Sequence, residues 1–136
     1  MQRIISQIHQ WLARLLLLGF VLQVYLATAP LFGVGVTFRP HRVLGSALAI
    51  LVILLLVLAV AGRLERQWIR LSILLVLLTI VQVILPSLRG RISWIAALHA
   101  VNALALIRIS ATIARPRTSS TTLESRDQAD QPTPVT

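Results

Sequence analysis

Cysteine and lysine are both absent from this chain. Without thiols there is no disulfide framework, no thiolate metal site, no iron–sulfur cluster and no cysteine nucleophile. Negative charge is scarce as well. Glu65, Glu124, Asp127 and Asp130 are the four acidic residues, and none lies inside an apolar run. Carboxylate pairs for acid–base catalysis and carboxylate relays for proton transport are therefore missing from the apolar part of the chain. No Ser–His spacing supports a nucleophile. An enzyme is the least expected class. A proton-coupled transporter is also disfavoured, because four helices are few for an alternating-access machine.

What fills the chain instead is aliphatic. Of its 136 residues, 57% are hydrophobic and 12% are charged, where a soluble domain carries about 25% charged residues. The mean hydropathy is +0.84. A disordered chain would have fewer apolar residues, and a soluble globule would need a more polar surface. The formal net charge is +9, from 13 arginines against the four acids. Those arginines are dispersed along the chain rather than gathered into one basic patch, so nucleic acid is not the expected partner. The lipid bilayer is.

Four apolar stretches, at about 11–32, 43–62, 68–88 and 92–114, each approach the ~20 residues needed to cross ~30 Å of hydrocarbon. Gly33, Gly35 and Pro40 interrupt the first connection, residues 63–67 form the second, and Arg89-Gly90-Arg91 form the third. Connections this short make neighbouring helices antiparallel. The expected fold is all-α: an antiparallel bundle of four transmembrane helices over 1–114. Residues 115–136, rich in Thr, Ser, Pro, Gln and Asp, read as a disordered cytoplasmic tail. Ala27-Thr28-Ala29 after an apolar run resembles a signal-peptide cleavage site, but Pro30 is a poor first mature residue and the run continues. A retained first helix is the better reading.

Arginine placement orients the bundle. Arg3, Arg14, Arg63, Arg66, Arg70, Arg108, Arg115 and Arg117 flank one end, and Arg39, Arg42, Arg89 and Arg91 flank the other. Eight against four puts both termini in the cytoplasm of a bacterial inner membrane. Trp11, Trp68 and Trp94 sit at span ends, where interfacial anchors belong.

Inside the spans the polar residues carry the information. Gln23 lies ~13 Å, Gln82 ~9 Å and His99 ~10 Å from the outer helix ends, with Asn102 a turn deeper. His41 follows Pro40 at the start of the second span. Each helix also carries a stripe of small and polar residues: Gly19, Gln23 and Ala27; His41, Gly45 and Ala49; Ser72, Thr79, Gln82 and Pro86; Ala96, His99 and Ala103. Interhelical bonding explains Gln23, Gln82 and Asn102 at ~0.6 kcal/mol per bond. His99, ionisable at that depth, is the functional candidate.

His41 and His99 are candidate ligands for a b-type haem or a metal ion, since neutral imidazole binds haem iron, copper and zinc. Arg39, Arg42, Arg89 and Arg91 are candidate partners for haem propionates. Gly45, Ala96 and Ala103 leave room for a flat ring. Counting from the inner ends counsels caution about a shared site, although a helix tilt of about 20° would absorb part of the difference. His41 lies 22 residues from Arg63 and His99 lies 16 from Arg115, an axial offset of ~9 Å.

The segments Gln23-x-x-Leu26-Ala27, His41-Arg42-x-x-Gly45 and Leu98-His99-x-x-Asn102 resemble those of an uncharacterised family of small bacterial four-helix membrane proteins. The likeness spans roughly residues 15–108. It implies the fold and marks Gln23, His41, Gly45, His99 and Asn102, and it implies no established activity. The helices are also distantly similar to b-type cytochrome helices with paired histidines. Two intramembrane histidines would serve one haem at most. The leading expectation is an accessory or structural subunit packed against a larger membrane complex, respiratory or photosynthetic. The alternative is a haem- or metal-binding redox protein using His99 with His41.

Overall fold

A computed structural model describes residues 2–35, 37–88, 90 and 92–116. Arg89, Arg91 and Arg117, and with them the tail from 117 onward, lie outside the described residues. Among the described residues four α-helices make up the fold: α1 (Gln2–Thr28), α2 (Arg39–Ala61), α3 (Arg66–Ile84) and α4 (Ser93–Ala114). No strand occurs among the described residues. Segments Gln2–Phe32, Arg39–Ala61, Arg66–Leu88 and Ala97–Ala114 are each long and apolar enough to cross a membrane.

The helix ends follow from local chemistry. After Thr28 the chain tightens into a 3-10 turn, Ala29–Phe32, and after Ile84 into another, Leu85–Leu88. Pro30 and Pro86 stand in these turns, and a proline there removes an amide that the helix ladder would use. Gly33 (φ 74°) closes the first hairpin in the left-handed region, with its amide on Pro30 O and that of Val34 on Ala29 O. The chain then enters α2 through Arg39-Pro40, the favoured position for proline at a helix start. At the far end of α2 the same pattern of bonds recurs around Arg63, which adopts φ 47°. Its amide reaches Val60 O, and that of Leu64 reaches Ala59 O.

Sequence neighbours pack side by side, and α1 packs against α4 to close a ring. The pairs α1/α3 and α2/α4 thus face each other diagonally across the bundle axis. Buried positions along α2, at Leu48, Val52, Leu55 and Ala59, advance by alternating three and four residues. On α1 the buried set is His9, Ala13, Leu16, Gly19 and Phe20. This periodicity keeps one stripe of each helix on the axis. The middle of the bundle is consequently aliphatic, filled by Leu16, Leu48, Val52, Leu55, Leu75 and Leu106. Of the small-and-polar stripes read from the sequence, Gly19 packs on Leu48 within this layer and Ser72 is buried, whereas Ala49 and Thr79 border a groove between α2 and α3 and Pro86 is exposed.

Outward faces carry Leu18, Val21, Ile50, Ile53, Val57, Leu77, Val83, Val101 and Leu104, all exposed. Such surface suits lipid chains and not water. Trp11 and Trp94 are exposed at span ends, whereas Trp68 packs against the buried core.

Candidate functional site

The two hairpins build one end of the bundle in the same way. His41, in the first turn of α2, donates Nδ1–H to the backbone oxygen of Gln23 on α1, at 3.1 Å. His99, in the second turn of α4, donates Nδ1–H to the backbone oxygen of Gln82 on α3, at 3.0 Å. Each histidine therefore anchors on the glutamine of the preceding helix, 18 residues back in one case and 17 in the other. The two imidazoles meet diagonally across the axis with ring centroids 6.2 Å apart and planes inclined by 64°.

This proximity overturns the ~9 Å offset obtained by counting. The counted ends are not level. Gly62, at the end of α2, packs on the Ile5 side chain of α1. The end of α4 is held higher up α1, where Gln10 Nε2 donates to Arg115 O at 3.1 Å and Arg14 Nε donates to Ala114 O at 3.2 Å. Five to nine residues of α1 separate these anchor points, about 7–14 Å of rise. That shift cancels the apparent mismatch between the histidines.

A closed hydrogen-bond circuit surrounds His99. Asn102 Nδ2 donates to Leu78 O at 2.8 Å and to Gln82 Oε1 at 2.6 Å. With its oxygen committed to Asn102, the Gln82 amide turns its Nε2 to His99 Nε2, at 3.2 Å. His99 thus holds one proton, on Nδ1, and accepts a bond on Nε2. Around His41 the circuit is open. Gln23 lays its Nε2 against Gly45, where a Cβ would stand 2.6 Å away. Gln23 Oε1 is buried with no hydrogen-bond partner among the described residues. None of them bonds to His41 Nε2 either.

Arg39 and Arg42 flank His41 in the first turn of α2, both exposed. Arg89 and Arg91, the other candidate propionate partners, lie outside the described residues, as does the side chain of Ala96. Among the described residues no group of three or more His, Cys, Asp or Glu side chains converges. The available donors are two imidazoles and the glutamine amides.

Residues 23–90 match a family of unknown function, DUF6220. The chain belongs to that family. The DUF6220 match starts at Gln23 and takes in His41, Gly45 and Gln82, while His99 and Asn102 fall beyond it. Neither a curated protein nor a solved structure matches the chain.

Two buried polar residues escaped the sequence reading, His9 and Ser110. His9 is fully buried at the terminal end of the bundle. Ser72 Oγ donates to Trp68 O at 2.8 Å and accepts from His9 Nε2 at 3.2 Å, bridging α1 and α3. His9 precedes the first apolar run, between Gln7 and Gln10. The signal was its spacing: positions 9, 13, 16 and 20 continue the buried stripe of α1 back beyond Trp11.

Proposed function

We propose that this DUF6220 protein is a cofactor-bearing membrane bundle in which His41 and His99 ligate one transition-metal centre, carried as a b-type haem or as an ion. The observation that supports it is the anchored pair. Two imidazoles 6.2 Å apart each spend Nδ1 on a backbone carbonyl of the helix before. A histidine ligand is characteristically oriented in this way, its second nitrogen reserved for metal. In that reading each imidazole would hold the metal through Nε2. The buried acceptor Gln23 Oε1 and His41 Nε2 add lone pairs with no matching donor among the described residues. A cation would satisfy them.

Iron between two neutral imidazoles supports one-electron transfer. Gly45, one turn from His41, carries no side chain, and a Cβ there would meet only the Gln23 amide. Arg39 and Arg42, and by sequence Arg89 and Arg91, lie at the right end for propionates. The role is electron carriage rather than catalysis. The excess of arginine at the opposite end supports an orientation in a bacterial inner membrane with this end outside the cytoplasm.

Absorption spectra and metal analysis of the detergent-purified protein test the proposal. A Soret band lost in His41→Ala and His99→Ala identifies haem; bound metal without that band identifies an ion. A colourless, metal-free protein that takes up neither haemin nor Zn²⁺ would sink it. The accessory-subunit reading has one observation of its own. An open apolar groove of about 280 Å³ between α2 and α3, bordered by Ala49, Ile53, Thr79 and Val83, could seat side chains of a neighbouring helix. Copurification with stoichiometric partners in mild detergent would favour it.

A further inference from the structure

The two halves of the site repeat each other in the backbone and differ in the side chains. Gln23 and Gln82 each receive a histidine Nδ1–H on the backbone oxygen. The Gln23 amide rests on Gly45, and no described residue bonds to His41 Nε2. The Gln82 amide instead donates to His99 Nε2, the nitrogen that a metal would take. What separates the halves is the residue three places after each histidine. That residue is Asn102 in α4, which grips Gln82 Oε1 at 2.6 Å, and Leu44 in α2, which offers no donor.

We propose that Gln82 is a displaceable cap on His99: it occupies the ligating nitrogen, clamped by Asn102, so that a metal would bind His41 first and gain His99 only when the cap swings away. This rests on the two-histidine site proposed above. The chemistry follows from the donors. Nε2 of a neutral imidazole has one lone pair, so an amide hydrogen bond and a metal bond exclude each other. Among the described residues none must leave His41 Nε2 for it to ligate, whereas His99 must lose the Gln82 bond. Gln82 thereby sets the coordination number of the centre without touching the metal. It is a positioning residue, not a ligand.

Ring-nitrogen ¹⁵N NMR of the unloaded protein in micelles tests the cap without any ligand. In the native chain His99 is expected as a single Nδ1–H tautomer with the Nε2 resonance shifted by an accepted bond. Gln82→Leu should remove that shift and keep the tautomer. Asn102→Leu, which leaves Gln82 in place but unclamped, should give an intermediate value. An Nε2 resonance unchanged by both substitutions overturns the cap. Haemin titration then tests the order of ligation. The native chain should retain a high-spin, His41-only fraction, and Gln82→Leu should move the spectrum toward the low-spin, two-histidine form. The ratio of low-spin to high-spin centres should rise about threefold, the factor equivalent to a membrane hydrogen bond of about 0.6 kcal/mol. His41→Ala should lose more affinity than His99→Ala. The reverse order, or spin states indifferent to Gln82, overturns the proposal. If no variant takes haemin or Zn²⁺, the metal reading falls together with the release step, and the NMR result still decides whether the cap exists.

Discussion

Gly19 and Gly45 both lie on buried stripes where a side chain would collide, but they collide with different things. A Cβ on Gly19 would run into the Leu48 side chain, which is itself buried in the aliphatic layer. A Cβ on Gly45 would meet the free end of Gln23 and nothing stiffer. Overpacking a closed core costs about 1–3 kcal/mol, whereas the tip of a flexible amide can step aside. Gly19→Val should therefore destabilise the bundle by about 1–3 kcal/mol, measured as a lowered SDS unfolding midpoint, and Gly45→Ala should change that midpoint little. Equal losses at both sites would mean that Gln23 is fixed by contacts beyond those described. At this scale the sequence announced Gln23, Gln82, His99 and Asn102 through their depth in apolar runs. It did not announce which atom of each is satisfied, because that depends on Asn102 facing Gln82 across two helices. His9 stayed hidden because hydropathy alone, without the three-and-four spacing, ends the first span at Trp11.

Among the elements, α4 depends most on a neighbour for its ending. Its last carbonyls have no intrahelical partner, and Arg14 and Gln10 of α1 supply donors to Ala114 O and Arg115 O. The Arg14 guanidinium also lies 4.5 Å over the Trp11 ring, which fixes its direction. A cation at a helix C-terminus is favourable against the macrodipole, and the partly buried site limits screening. Arg14→Leu should loosen the last turn of α4 by about 1–2 kcal/mol, read as roughly tenfold faster amide exchange over 110–114 with the centre of the helix unaffected. Exchange unchanged there would show that Gln10 suffices. The four helices themselves were legible, since runs near 20 apolar residues broken by glycine, proline and arginine admit few alternatives. Their relative heights were not. Nothing in α2 or α4 alone states that one ends level with Ile5 and the other level with Gln10 and Arg14. That registration decides whether His41 and His99 meet.

For the whole molecule, arginine is the only charge available to set orientation, because the apolar spans contain no acid and the chain no lysine. The ring closure of α1 on α4 brings both described chain ends to the side bearing Arg63, Arg66 and Arg70, opposite the histidines. The histidine end is therefore the less basic one, and the proposed metal centre sits toward the outer leaflet only if the positive-inside bias holds. The bias is testable by weakening it. Replacing Arg63, Arg66 and Arg70 with Gln lowers the arginine tally at their end from eight to five against an unchanged four. All three residues are exposed, and none donates a side-chain hydrogen bond within the described set, so the fold should survive. A C-terminal fluorescent-protein fusion should glow in the native chain, and a C-terminal alkaline-phosphatase fusion should be inactive. In the triple variant the phosphatase signal should appear alongside reduced fluorescence, reporting a mixed population. An active phosphatase fusion on the native chain would invert the bundle. His41 and His99 would then face the cytoplasm, within reach of soluble electron donors, and the ligand chemistry of the site would stand while its side of the membrane changed.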